Sequence, residues 1–480
     1  MTALVLGLDQ GTSSTRCVVL DADLRERGAA SVAVPCSFPG PGLVEQDPEA
    51  IAQSARDAIE GALAGARAAP RDVAALGIAN QTETFVLWDR ATGRAIHPAI
   101  VWQDRRTDGV CAGLRARGDE PLVRERTGLE LDATFPATKL SWVLDHVDGA
   151  RAAAEAGRLA YGDVAAWLLH RLAGVHVTDA GNAGRSLLCP LGGDDWDDEL
   201  LALFGVPRAV LPPVVDSDRI DAVTADGIHV VAAAGDQQAS LFGLRCWEAG
   251  SAKVTLGTGA FVLAQAGDAP PRPPAGILAS CAWRRAGTTS YALEGFIPTA
   301  GAAVDWFTRI GALPGGTELD ELLQTGEPGL VCVPALQGFG SPSWDAGARG
   351  SVLGLSLGTT RADLARAVVE GILHQVADAV EAIGTLDTLR IDGGLSRSDW
   401  IAQRLADLTG APVQRTARPD STALGAATLA GLATGLWDDP GSLPEIPLDL
   451  VVEPSLPAAE QARERERWAA ARELTASWRE

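Results

Sequence analysis

Two apolar runs, residues 4–6 and 18–20, flank a segment rich in glycine and hydroxyls, Gly11-Thr12-Ser13-Ser14, with one acid, Asp9, ahead of it. Short apolar runs bounded by turn residues predict the two strands of a hairpin. The pattern returns at AKVTLGTGAFVLA (252–264), about half the chain further on, as a weak internal repeat. Elsewhere strand-like and helix-like stretches alternate. Asp47 and Pro48 open a predicted helix over 48–67. A buried strand over 73–78 ends at Asn80-Gln81-Thr82-Glu83, and another over 230–234 ends at Gly235-Asp236-Gln237-Gln238. Helices are predicted at 138–147 and 160–173. The second half adds helices at 299–310, 363–383 and 398–409, a loop at 334–350, and a strand, LRIDGG (389–394), running into a diglycine. The stretch 423–435 reads as a small-residue helix suited to packing against backbone, and the charged tail from 458 as an exposed helix. Alternation of this kind places the chain in the α/β class.

A chain of 480 residues exceeds one hydrophobic core, and domains of about 150–250 residues predict two units. The repeat divides them at 1–245 and 246–480. A formal charge of −22 argues against nucleic acid or anionic membranes as partners. The seven cysteines are scattered and lack a C-x-x-C pair, which predicts reduced thiols in a cytoplasmic protein rather than disulfides or metal ligands. No basic-then-apolar leader and no long apolar run is present, so neither a signal peptide nor a membrane span is expected. Lysine occurs only at 139 and 253.

The opening turn reads either as a tight hairpin using Gly11 or as a phosphate site. It lacks the lysine and following helix of the G-x-x-x-x-G-K-[ST] loop. A carboxylate such as Asp9 beside backbone amides suits a phosphate only with Mg²⁺ between them. Asp236, just past a strand end and before a helix, reads as a helix N-cap or as a general base for a substrate hydroxyl. Gly354-Leu355-Ser356-Leu357-Gly358 matches a nucleophile elbow. The sole downstream histidine, His374, falls inside a predicted helix, so a serine hydrolase is rejected. The six histidines show no zinc spacing. Trp102, followed at once by polar residues, suits the C–H face of a polyol.

GLDQGTSSTRCVVLD, NQTET, AIVWQDRRT, GDQQASLFG, LGTGAF, DGG and TALGAATLAGLATG occur in that order. With residues 135–146 and 350–370, they resemble the FGGY family of carbohydrate kinases over about residues 4–440, most closely its glycerol kinase branch. The resemblance implies two actin-like (ribonuclease H-like) domains with ATP and Mg²⁺ in the cleft between them. It makes the first hairpin a phosphate turn (Gly11, Thr12, Ser13), with Asp9 and Asp236 toward the metal. Thr258 and Gly259 form a second phosphate turn, and Gly301, Gly393, Gly394 and Ser398 line the nucleotide pocket. Asp236 becomes the catalytic base with Gln237 beside it, and Glu83, Trp102 and Phe261 contact substrate. A homodimer or homotetramer is implied.

Two positions depart from that branch. Thr82 and Thr134 stand where it has an arginine and a tyrosine that hydrogen-bond glycerol. Loss of a charged hydrogen bond costs about 1.5–3 kcal/mol, and the shorter side chains widen the acceptor pocket. Arg105 and Arg106 do not compensate, since the family already has arginines there. A short connection, ADGIHVV (225–231), replaces the glycine-rich basic loop that binds a sugar-bisphosphate inhibitor in bacterial members. The expected activity is ATP-dependent phosphorylation of a small polyol, glycerol first. The alternative is a larger polyol or ketose such as erythritol, threitol or xylulose. From another class, an actin-like ATPase acting on a protein partner is expected to turn over ATP in response to that partner and to ignore polyols, and to need an extra domain where here the fold fills the chain.

Overall fold

In the computed structural model, which describes residues 4–314, 317–418 and 420–478, both predicted hairpins form and each seeds a sheet. β1 (Leu4–Gln10) pairs antiparallel with β2 (Ser14–Leu20), and β2 with β3 (Glu26–Ala33). On its other side β1 pairs parallel with β4 (Val73–Asn80), which pairs parallel with β5 (His229–Gly235). The second sheet repeats this plan. β6 (Ser251–Leu256) is antiparallel to β7 (Ala260–Gly267) and parallel to β10 (Thr388–Asp392). β8 (Leu278–Arg285) and β9 (Thr288–Ile297) extend it beyond β7; β11 (Val413–Thr416) and β12 (Leu448–Val452) extend it beyond β10. Strand order and direction therefore recur in each half.

Helices α1 (Pro48–Ala66) and α2 (Val164–Ala173) cover one face of the first sheet. Its other face packs on α3 (Asp236–Gly243) and α7 (Ser421–Ala433) in a core that also contains Leu263, Trp283 and Ala292 of the second sheet. The far face of the second sheet is covered by α4 (Gly301–Arg309), α5 (Arg361–Ile383) and α6 (Asp399–Thr409). The small residues of α7 have a geometric cause. A Cβ on Gly77 of β4 would lie 2.0 Å from the Ala426 carbonyl oxygen, and one on Gly425 would lie 1.8 Å from that of Ala239. Only glycine permits these backbone contacts.

The chain between β4 and β5 supplies three strands (Phe85–Asp89, Ala99–Ile100, Leu159–Asp163) of a four-stranded sheet, to which Glu45–Gln46 ahead of α1 adds an edge, with helices and its own core. Residues 160–173 are therefore not one helix. Leu159–Asp163 is a buried strand, and Asp163 caps α2 by accepting a hydrogen bond from Ala166 N–H at 2.9 Å. A short, wholly buried strand has no alternation to distinguish it from a helix. The charged tail forms α8 (Ala458–Ser477), but it is not merely a solvated helix. Trp468 is 1% exposed and stacks on His374 with ring centroids 5.0 Å apart. Ser356 lies in an exposed loop while His374 is buried there, which removes the hydrolase pairing. All seven cysteines are free, six of them buried. Among the described residues no helix is long and apolar enough to cross a membrane.

Candidate active site

The parallel strands β1, β4 and β5 end on one edge, in register at Gln10, Asn80 and Gly235. Open α/β sheets offer their ligand crevice at such carboxyl ends. This edge gathers Asp9, the run from Asn80 to Glu83, and Asp236. In the second sheet Thr255 of β6 lies opposite Asp392 of β10, so the turns at Thr258 and at Gly393 also share an edge.

The first turn is braced from beneath. Gly11 N–H donates to the Ser14 carbonyl at 2.9 Å, and the Gln46 amide donates to the Thr12 carbonyl at 2.6 Å. Gln81 in turn donates to the side-chain oxygens of Gln10 and Gln46. In the second turn Gly257 N–H donates to the Gly259 carbonyl at 3.0 Å. The Thr258 carbonyl accepts from Ala300 and Ala302, so α4 starts directly on this turn. A Cβ on Gly301 would meet the Gly257 oxygen at 2.6 Å. Gly393 has φ +90°, and a Cβ there would meet the Leu256 oxygen at 2.6 Å. The position a Cβ would take on Gly394 is open. Ser398 spends its hydroxyl on the protein: it caps α6 through Ile401 N–H and donates to Asp320.

Asp236 is the first residue of α3, whose N-cap is Gly235, so it is not a cap. Its Oδ1 accepts from Gln237 N–H at 2.7 Å. Burial, then the Glu83 charge, pushes its carboxyl up to about 6, against the pull of Lys253 and Arg185. Burial, then the charges of Asp236 and Asp420, pushes Asp9 up to about 8. Two hard carboxylate donors that repel one another suit a divalent cation with oxygen preference. Among the described residues no group of three or more His, Cys, Asp or Glu is assembled to hold a metal. The pair would fit a cation that arrives with phosphates, whose oxygens would complete its coordination. Lys253 is fully buried and donates to Gln237 Oε1 at 2.6 Å and to Thr255 Oγ1 at 2.7 Å, fixing the Gln237 amide.

An aromatic wall stands beside the first turn, where the Trp102 indole N–H donates to the Thr12 hydroxyl. Trp102 lies edge-on to Phe296 with centroids 6.4 Å apart, and Phe261 lies 5.1 Å from Phe296, its cross-strand partner. Glu83 adopts φ +61° and accepts from the Thr82 hydroxyl at 2.7 Å and from Arg185 Nε at 2.6 Å. The Thr134 hydroxyl donates to Asp132 at 2.7 Å. Arg105 pairs with Asp132 and Asp108, and Arg106 with Asp104 and Glu45.

Residues 4–243 match the N-terminal domain, and residues 252–434 the C-terminal domain, of the FGGY family of carbohydrate kinases. The chain belongs to this family. It is 47% identical over 459 residues to a glycerol kinase of Methylobacterium nodulans, covering 92% of this chain and 91% of that one. A glycerol kinase of Rhodopirellula baltica is 43% identical, over 99% of this chain and 91% of its own. Among solved structures, Plasmodium falciparum glycerol kinase with ADP superposes with a TM-score of 0.92 at 27% identity, covering 99% of this chain and 98% of that one. A Brucella ovis xyloylose kinase gives 0.87 at 28%, covering 98% and 99%.

As an FGGY carbohydrate kinase the chain is a phosphotransferase that uses ATP and an alcohol acceptor. Its repeated sheets are the two actin-like halves of the family fold. Asp9, Asp236 and Glu83 meet at the first edge, and Thr258, Gly259, Gly301 and Gly393 at the second. Sequence reasoning did not find Phe296, Arg185, Glu294 or Asp392. Glu294 and Phe296, two apart in LEGF, share one face of β9, a signal that alternation carries. Arg185 was a lone charge in a largely apolar stretch, the kind of residue that burial requires to be paired.

Proposed function

We propose that this kinase transfers the γ-phosphoryl group of ATP to glycerol, giving glycerol 3-phosphate, within halves bounded at 1–245 and 246–480. The observation that carries the reading is the closeness of Asp236 and Glu83 at the strand ends, with Trp102 bonded to the first glycine turn and packed with Phe261 around Phe296. Asp236 accepts the proton of the attacking hydroxyl as its oxygen bonds to the γ-phosphorus; the bond to the bridging oxygen breaks and ADP departs. Glu83 accepts a hydrogen bond from a second acceptor hydroxyl, and Trp102 and Phe261 cover the carbon face. Gln237, held by Lys253, flanks the acceptor. Backbone N–H groups of Thr12, Ser13, Thr258 and Gly259 receive the phosphates, Gly11 shapes the first turn through its bond to Ser14, and Gly301, Gly393, Gly394 and Ser398 border the nucleotide. Asp9 and Asp236 would hold a Mg²⁺ brought with ATP, which would supply neutralisation of phosphoryl charge. The enzyme is cytoplasmic and assembles as a homodimer or homotetramer.

One observation favours a larger acceptor. Thr82 and Thr134 both donate to protein carboxylates, so neither supplies the donor that the glycerol kinase arginine and tyrosine provide. Glycerol is retained as first choice because Glu83, Trp102, Asp236, Gln237 and Phe261 all persist. The test is a panel of three- to six-carbon polyols and ketoses with ATP, ranked by kcat/KM. Glycerol ranking first supports the reading, and glycerol far below erythritol, threitol or xylulose overturns the choice of acceptor. Asp236→Asn is expected to lower acceptor-dependent ADP release by about 10²–10⁴-fold; unchanged release removes Asp236 as base.

A further inference from the structure

Glu83 is held in a backbone region that non-glycine residues seldom occupy, φ +61°. Such a conformation persists only where surrounding groups over-determine it. The groups doing so are visible. Thr82 Oγ1 donates to one carboxylate oxygen at 2.7 Å, and Arg185 Nε donates to the other at 2.6 Å. Arg185 caps the C-terminal end of the short helix Ala180–Gly184, and its guanidinium lies 5.5 Å from the Phe135 ring centroid.

The same guanidinium reaches across to the second sheet, where Nη1 donates to Glu294 Oε2 at 2.5 Å. Glu294, on β9, is buried, and its other oxygen accepts from Gln238 at 3.1 Å and from Ser280. One buried cation thus stands between a carboxylate from each half of the chain. The planar fork of an arginine serves two carboxylates in fixed directions, which a lysine ammonium does not.

We infer that Arg185, itself anchored by Glu294, is a positioning residue that aims Glu83 at the acceptor, so that acceptor affinity depends on how the second sheet sits against the first. The inference rests on the reading of Glu83 as an acceptor-binding acid. A purely structural ion pair would lower stability and disturb both substrates alike. A positioning pair acts on the acceptor through Glu83 and leaves ATP alone.

The discriminating experiment is a double-mutant cycle in the full-length enzyme with Glu83→Gln, Glu294→Gln and the pair. Its readouts are KM for glycerol, KM for ATP, and glycerol affinity measured calorimetrically without nucleotide. Glu294→Gln is expected to raise the glycerol KM and dissociation constant about tenfold, to move the ATP KM less than twofold, and to add less than twofold once Glu83 is Gln. Arg185→Lys, which keeps the charge and loses the fork, is expected to raise the glycerol KM in the same way, and Glu294→Asp to recover part of the loss. Equal effects of Glu294→Gln in both backgrounds, or an ATP KM raised as much as that for glycerol, overturn the inference. A Glu83→Gln enzyme with unchanged glycerol KM overturns the acceptor-site reading itself.

Discussion

The indole N–H of Trp102 donates to the hydroxyl of Thr12 at 3.0 Å. The aromatic wall and the first glycine turn, 90 residues apart in sequence, therefore share a hydrogen bond. Trp102→Phe keeps an aromatic face and deletes that bond, worth about 0.5–1.5 kcal/mol. Steady-state kinetics should show kcat/KM lower by roughly 2–12-fold for both ATP and acceptor. A loss confined to the acceptor would mean that the bond does not join the two sites.

Thr82→Arg with Thr134→Tyr restores two large donors. The glycerol-to-erythritol ratio of kcat/KM is expected to rise about tenfold, or ~1.4 kcal/mol. Thr82→Arg alone is expected to do less, because it removes the hydroxyl that holds Glu83 and adds a cation beside Arg185. The ratio for single and double variants is read from competition between the two acceptors.

Gly393→Ala places a methyl where the Leu256 carbonyl already sits and demands φ +90° of a residue that resists it. Strain and overlap together are expected to lower stability by about 2–4 kcal/mol. The ATP KM should rise more than the acceptor KM, checked by thermal unfolding and by titrating each substrate separately.

Acid should weaken the fold through His374. Burial, then Arg465 and Arg404, pushes its imidazole from 6.5 down to about 3. The unfolded chain therefore binds a proton between these values that the folded one does not, and stability falls as pH drops from about 6.5 toward 3. The contribution lost at pH 5 is about 2 kcal/mol. His374→Phe, which preserves the stack on Trp468, should flatten the pH dependence of the urea midpoint between pH 6.5 and 4.

The hairpins at 4–20 and 251–267 were legible because each is local: apolar strand, glycine turn, apolar strand. So were Asp9 and Asp236, which lie at strand ends where register alone brings them to one edge. Leu159–Asp163 was not, since a fully buried run looks the same to periodicity whether strand or helix. Nor was the face of α8 carrying Trp468, a lone aromatic in a charged helix whose partner, His374, lies 94 residues upstream. Arg185 escaped for the same reason. Its partners, Glu83 and Glu294, lie 102 and 109 residues away, and nothing local ties them together.

The position of α7 bears on the order in which the protein is made. This helix packs on β1 and β4, yet it is encoded after every strand of the second sheet except β12. During synthesis the part of the inner face of the first sheet that α3 does not cover stays open until residue 433 has left the ribosome. Early strands then wait on late chain, a long-range dependence that slows folding. A chain truncated near residue 420 would leave the part of that face under α7 bare, and the first half released alone would carry an apolar sheet that α3 only partly closes.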